Sequence, residues 1–164
     1  MPNSEIYTGL SGSVAVAQTT ALPICSVFGT AAKRLWVVGV RVKLGVTAAV
    51  AGNAVRFQLA RPGNTPNASN AAAIAAGGGH DFSAPASIGL FATAYTTAPT
   101  VGAILGEWEV PQTTGSPWEE FPPTAYEWGV PAIANNNANA GLHLFAIPTV
   151  STSTPVFVDL IWSE

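Results

Sequence analysis

Apolar and polar side chains alternate with a period of two wherever this chain has a clear period, which is the pattern of strands buried on one face. From Val156 to Glu164 one row carries Val156, Val158, Leu160 and Trp162 and the other carries Phe157, Asp159, Ile161 and Ser163. That spacing predicts a strand that completes a sheet at the C-terminus. Arg34 to Val46 repeats the pattern, with Trp36, Val38, Val40, Val42 and Leu44 opposite Val37, Gly39, Arg41 and Lys43. A central strand is expected there, with the Trp36 row facing the core. Val55, Phe57 and Leu59 alternate with Arg56 and Gln58 after Ala51, Gly52 and Asn53, so these two segments are expected to pair as an antiparallel hairpin. Weaker strands are expected over Ser13–Gln18, Leu22–Phe28, Ile88–Ala92, Ile104–Glu109, Ala125–Val130 and Leu142–Ile147. About nine short strands, with turns and with Gly and Pro as punctuation, predict an all-β fold. The expected architecture is an antiparallel β-sandwich, jelly-roll-like, in one domain over residues 1–164, whose first 30 residues form N-terminal strands or an arm.

Residues 61–85 break the alternation and form a long loop rich in Pro, Asn, Ala and Gly. Within it Asn70 to Ala76 has alanine helix propensity and an Asn cap before Gly77, Gly78 and Gly79, so a short helix is expected. A loop of that length inside a compact domain usually makes contacts elsewhere, and here it is expected to act as an arm between subunits. The glycines do not form a phosphate loop, because no Lys-Ser/Thr follows them.

The composition changes the picture from an ordinary domain to an assembling one. Only 9% of the 164 residues are charged while 48% are hydrophobic, and the mean hydropathy is +0.33. A free monomer normally keeps charge outside and avoids large apolar patches, so much of this exterior is expected to lie against other subunits. No segment approaches the ~18 uninterrupted apolar residues of a helical membrane span, and no membrane partner is expected. The start, Met1-Pro2-Asn3-Ser4-Glu5, lacks the basic and apolar regions of a secretory signal, so synthesis and assembly in a cytoplasm are expected. A net charge of −3 with six Lys and Arg gives little counterion-release energy, and no nucleic-acid partner is expected.

Candidate chemistry is sparse, and neither an enzymatic activity nor a cofactor is expected. Cys25 sits in the apolar run Leu22–Phe28 and reads as a buried structural thiol. Glu107, Glu109, Glu119, Glu120 and Glu127 interleave with Trp108, Trp118, Tyr126 and Trp128, a loose likeness to a carbohydrate-cleaving cleft. Alternation, however, puts Glu107 and Glu109 on one face and Trp108 on the other. His80 and His143 belong to no metal spacing, and His143 is expected on the polar face of its strand. The interface candidates are Trp118, Phe121, His80, Asp81, Trp108 and Tyr126, with Trp118 and Phe121 expected to be exposed in the Pro-rich segment 117–123.

The stretch from Arg34 to Val40 leading to Asn53 to Arg61, then Glu127 to Asn136, Ala140 to Leu144 and the closing Ile161-Trp162-Ser163-Glu164, resembles small virion proteins of tailed bacteriophages. The segment 117–123 departs from that pattern. The resemblance implies a β-sandwich structural subunit of a phage particle, a decoration or cement protein on the capsid exterior that forms a homotrimer and binds the major capsid protein or another virion protein. Alternatives are a tail or head-fibre component and a carbohydrate-binding β-sandwich module.

Overall fold

A computed structural model describes residues 5–17, 20–29, 35–45, 53–76, 85–113, 118–121, 129–130, 141–149 and 154–164. The described strands are β1 (Ile6–Val16), β2 (Leu22–Phe28), β3 (Leu35–Leu44), β4 (Ala54–Pro62), β5 (Asn67–Ala68), β6 (Ala72–Ala73), β7 (Leu90–Ala92), β8 (Tyr95–Thr97), β9 (Val101–Pro111), β10 (Glu119–Phe121), β11 (Gly129–Val130), β12 (Gly141–Pro148) and β13 (Thr154–Ser163). They form an all-β, antiparallel sandwich. One sheet has five strands in the order β1-β13-β3-β10, with β11 also on β3; the other has six, in the order β6-β7-β2-β12-β4-β9; β5 and β8 make a separate pair.

The first four long strands alternate between the sheets: β1 and β3 fall in one, β2 and β4 in the other. The expected hairpin between Arg34–Val46 and Ala54–Ala60 is therefore absent. Instead β3 pairs with β13 and β10, and β4 pairs with β12 and β9. Both segments show a buried row because they face each other across the core, and a period of two cannot distinguish that from pairing side by side.

The C-terminal strand follows its predicted register, with Val156, Val158, Leu160 and Trp162 all buried. β3 follows it only in part. Val40, Val42 and Leu44 are buried as expected, but Ile161 pairs with Gly39 and Trp162 with Val37, leaving Val38 as an extra residue. This β-bulge reverses the phase of the strand's first half. Leu35 and Val37 enter the core, Val38 is half-buried, and Trp36 points outward.

The core between the sheets is built from β1, β2, β3, β4, β9, β12 and β13, with Trp162, Tyr7, Phe57 and Leu160 among its largest members. Trp162 stacks between Tyr7 and Phe91, with ring centroids at 6.0 and 6.2 Å. A second, smaller cluster of Phe28, Ala68 and Ala92 lies outside the six-stranded sheet, with Ala71, Leu90 and Tyr95 packed against it. The described part of the long loop thus folds back over its own domain. No helix forms at 70–76; Ala72 and Ala73 pair with Phe91 and Leu90 instead. A short alanine run has too little propensity to resist a sheet edge that offers it backbone partners.

Candidate functional site

Residues opposite one another in neighbouring antiparallel strands share a face. On the outer face of the five-stranded sheet this places Ile6, Ser163 and Trp36 in one row and Thr8, Ile161 and Gly39 in the next. Leu10, Asp159 and Arg41 form a third row. Among the described residues the large exposed apolar side chains are Ile6 at 38%, Leu10 at 65%, Trp36 at 37%, Ile104 at 48% and Trp118 at 42%. All except Ile104 belong to this sheet or stack against it.

Charge within the patch is neutralised locally. The Arg41 guanidinium donates to the Asp159 carboxylate at 2.5 Å, and the Asp159 side chain is buried beneath it. Trp118, one residue before β10, lies over the same guanidinium with its ring centroid 5.6 Å from Cζ. A cation between a carboxylate and an indole face has its charge offset on one side and is stacked on the other, so the Arg41–Asp159 pair adds little net charge to a face that also carries Lys43. Beside it, β1 is interrupted between Leu10 and Ser13, where Gly12 has a φ of 68°. The Ser11 hydroxyl closes the gap by accepting the Val158 N–H at 3.0 Å and donating to the Gly12 carbonyl at 2.9 Å.

The sequence-derived candidates fall in different places. Trp118 is exposed on the face just described. Trp108 is half-buried against the core, paired across from Phe57. Its neighbours Glu107 and Glu109 are exposed on the opposite side of β9, as alternation predicted. Glu107 accepts a hydrogen bond from Gln58 Nε2 and lies 3.9 Å from Arg56 Nε. Arg56, Glu109, Ile147, Pro148 and Thr149 line a depression of about 270 Å³ on that side. No indole stands beside these carboxylates among the described residues. The backbone of Phe121 pairs with Val40, but its side chain lies outside what is described, as do His80, Asp81 and Tyr126. No group of three or more His, Cys, Asp or Glu able to hold a metal occurs among the described residues.

His143 departs from expectation: it is fully buried, not on a solvated face. His143 points away from the core and meets the rings of Phe28 on β2 and Tyr95 on β8, with centroids at 5.5 and 6.4 Å. His143 Nδ1 and the Ser26 hydroxyl form a hydrogen bond of 2.5 Å, and that hydroxyl bonds Tyr95 OH at 2.5 Å. His143 Nε2 has no partner among the described residues. Burial lowers the histidine from its ordinary 6.5 to about 4, so the ring is neutral at pH 7. Burial raises Tyr95, with the nearby Cys25 adding to the rise and the Ser26 hydrogen bond opposing it. It likewise raises the Cys25 thiol well above its ordinary range. That thiol is fully buried and free, as the sequence predicted. The chain Tyr95–Ser26–His143 pins the covering segment to the sheet through polar contacts that no solvent reaches at Ser26 or His143.

No period-two count over 142–147 reveals a burial that a segment some 50 residues away imposes. Ile6 and Leu10 carry no such signal either: Ile6, Thr8 and Leu10 alternate with Tyr7 and Gly9, a pattern that by itself turns the Ile6 row inward, whereas Tyr7 is the buried residue. Comparison with known proteins yields no matching family model, no matching curated protein and no matching solved structure.

Proposed function

We propose that this chain is a non-enzymatic structural subunit of a tailed-phage particle, a decoration or cement protein that self-associates and binds the outside of the capsid. The observation that carries the reading is the outer face of the five-stranded sheet. It places Ile6, Leu10, Trp36 and Trp118 in water around a self-neutralised Arg41–Asp159 pair. Large apolar side chains clustered on one flat face mark a surface that is covered in the working state.

Two further features support it. The first four long strands alternate between the two sheets of an all-β sandwich, a feature compatible with a jelly roll, an architecture common in viral capsid proteins and also in lectins. That is an argument from fold alone. The second is the likeness of residues 34–40, 53–61, 127–136, 140–144 and 161–164 to small virion proteins.

The test is to label purified particles with antibody against the chain, in a lysate where the chain is made, and locate the label by electron microscopy. Label on the head supports the decoration role. Label on the tail or on fibres moves the chain to those structures, and unlabelled particles remove the virion reading altogether.

A further inference from the structure

We propose that the β5–β8 pair is a lid on the outer face of the six-stranded sheet, latched by Tyr95, Ser26 and His143, and that mild acid releases it while the sandwich beneath stays folded. The latch does not depend on what the other sheet binds.

β5 and β8 form a sheet of their own, with no backbone ladder to the strands beneath them among the described residues. The polar groups of the pair are met within it. Gly63 N–H bonds the Thr100 carbonyl at 2.8 Å, and Ser69 N–H bonds the Ala94 carbonyl at 2.9 Å. The Asn64 side chain accepts the Thr100 N–H and donates to the Ala98 carbonyl, and Asn70 accepts the N–H groups of Thr93 and Ala94. Such a unit leaves the sheet without orphaning the backbone under it. At its base the register of β4 with β9 shifts between Ala60 and Pro62. A Cβ on Gly102 would fall 2.7 Å from the Arg61 carbonyl oxygen, so the two backbones meet there at a distance only glycine permits. Past its far end, β7 is held separately, by pairing with β2 and by the stacking of Phe91 on Trp162.

The fastening of the lid is small. Ala68 and Tyr95 join a cluster with Phe28, Ala92, Leu90 and Ala71. The hydrogen bond from lid to sheet among the described residues is that of the Tyr95 hydroxyl with Ser26, which in turn bonds His143 Nδ1. His143 is the member that acid changes. Its ring is fully buried and Nε2 has no partner among the described residues. A second proton on the ring would make Nε2 a charged donor facing no acceptor.

The surroundings supply no counter-charge. β8 brings Tyr95; β2 brings Ser26 and Phe28, with the neutral Cys25 thiol one residue away. β4 sets Ala60 opposite His143, with the cation Arg61 next along the strand, and β12 itself brings Phe145. In the neighbouring row Glu107 lies two strands from β12 and is engaged by Gln58. With the lid closed, burial holds the histidine at about 4 instead of 6.5. The open form takes up a proton that the closed form refuses, so opening gains roughly tenfold for each pH unit between 6.5 and 4, and nothing above 6.5.

The test is hydrogen exchange read by mass spectrometry on the full chain at pH 7 and pH 5, each rate divided by the intrinsic rate at that pH. A lone two-stranded ribbon is marginal in water, so a lifted lid exchanges. In the parent, protection of residues 63–70 and 93–100 should fall at least tenfold at pH 5, while residues 154–163 keep theirs. His143→Phe should lose this fall. Glu164→Gln, which alters the carboxylate that holds Ile88 and Gly89, should retain it. Tyr95→Phe cuts the latch at every pH and should show the weakened lid already at pH 7, which tests the latch even if His143→Phe fails to fold. Lid and sandwich losing protection together, an unchanged lid at pH 5, or an equal fall in His143→Phe would overturn the latch. A fall that disappears in Glu164→Gln would move the acid response to the C-terminal carboxylate and overturn it as well.

Discussion

His143 Nδ1 lies 2.5 Å from Ser26 Oγ, and the opposite nitrogen of the same ring is buried without a partner among the described residues. This makes the histidine a pH-dependent weak point. Its value is lowered to about 4 in the folded protein from 6.5. Above pH 6.5 it is neutral in both folded and unfolded chains and gives no pH dependence. As pH falls from 6.5 towards 4 the unfolded chain takes up a proton that the folded chain refuses, so stability drops over that window and levels off below it. The loss is on the order of 3 kcal/mol. Urea midpoints measured across this range should fall with pH in the parent and fall less in His143→Phe, which leaves Ser26 bonded to Tyr95. A parallel fall in both proteins would assign the effect to other groups.

The bulge at Val38 gives two tryptophans opposite fates. Trp162 is fully buried between Tyr7 and Phe91, whereas Trp36 stands on the outer face. Trp162→Ala should cost about 3 to 5 kcal/mol, and Trp36→Ala, whose ring is partly exposed, clearly less. Equal shifts in the denaturation midpoint would mean that the bulge is misplaced.

Glu164 clamps the approach to β7. Its carboxylate accepts the backbone N–H of Ile88 at 2.8 Å and of Gly89 at 2.7 Å, and the Trp162 indole N–H at 3.2 Å. Glu164→Gln should destabilise the fold by about 1 to 2 kcal/mol, because an amide has only one acceptor oxygen. Gly89→Ala should cost at least as much, since its Cβ would fall 2.5 Å from Leu35 Cδ1 and 3.0 Å from Trp162 Nε1. Thermal unfolding of both variants checks the clamp.

Cys25 should be inert to a thiol reagent in the native protein at neutral pH and should react once on unfolding, because burial both hides the sulfur and disfavours its thiolate. Rapid native labelling would contradict the packing of β2.

Trp118→Ala removes the indole stacked on Arg41 and should weaken particle attachment or self-association by about 2 kcal/mol, with little change in circular dichroism. Binding to particles and sedimentation of the variant beside the parent check this. If both match, Trp118 only covers its own ion pair.

Where burial depends on one sheet's own alternation, the sequence is a good guide, as in β13 and in Val40 to Leu44. It fails where a distant segment decides. Alternation alone turns Trp36 inward, because a bulge leaves no local mark. Neighbouring strands often pair, which suggests a β3–β4 hairpin, while here the two lie in opposite sheets. Alternation alone puts His143 in water, because nothing local shows that Tyr95 lies over it. Trp118 was legible as exposed from its Pro-rich setting. Ile6, Leu10 and Trp36 join it on one face only when the register with β13 is known.

The central claim, a structural subunit covering a capsid, is tested most directly by the molar ratio of this chain to the major capsid protein in gradient-purified phage heads, measured by quantitative mass spectrometry. The account predicts a fixed, near-integral ratio that survives repeated purification. A chain found only in trace amounts, lost with each gradient, would contradict it.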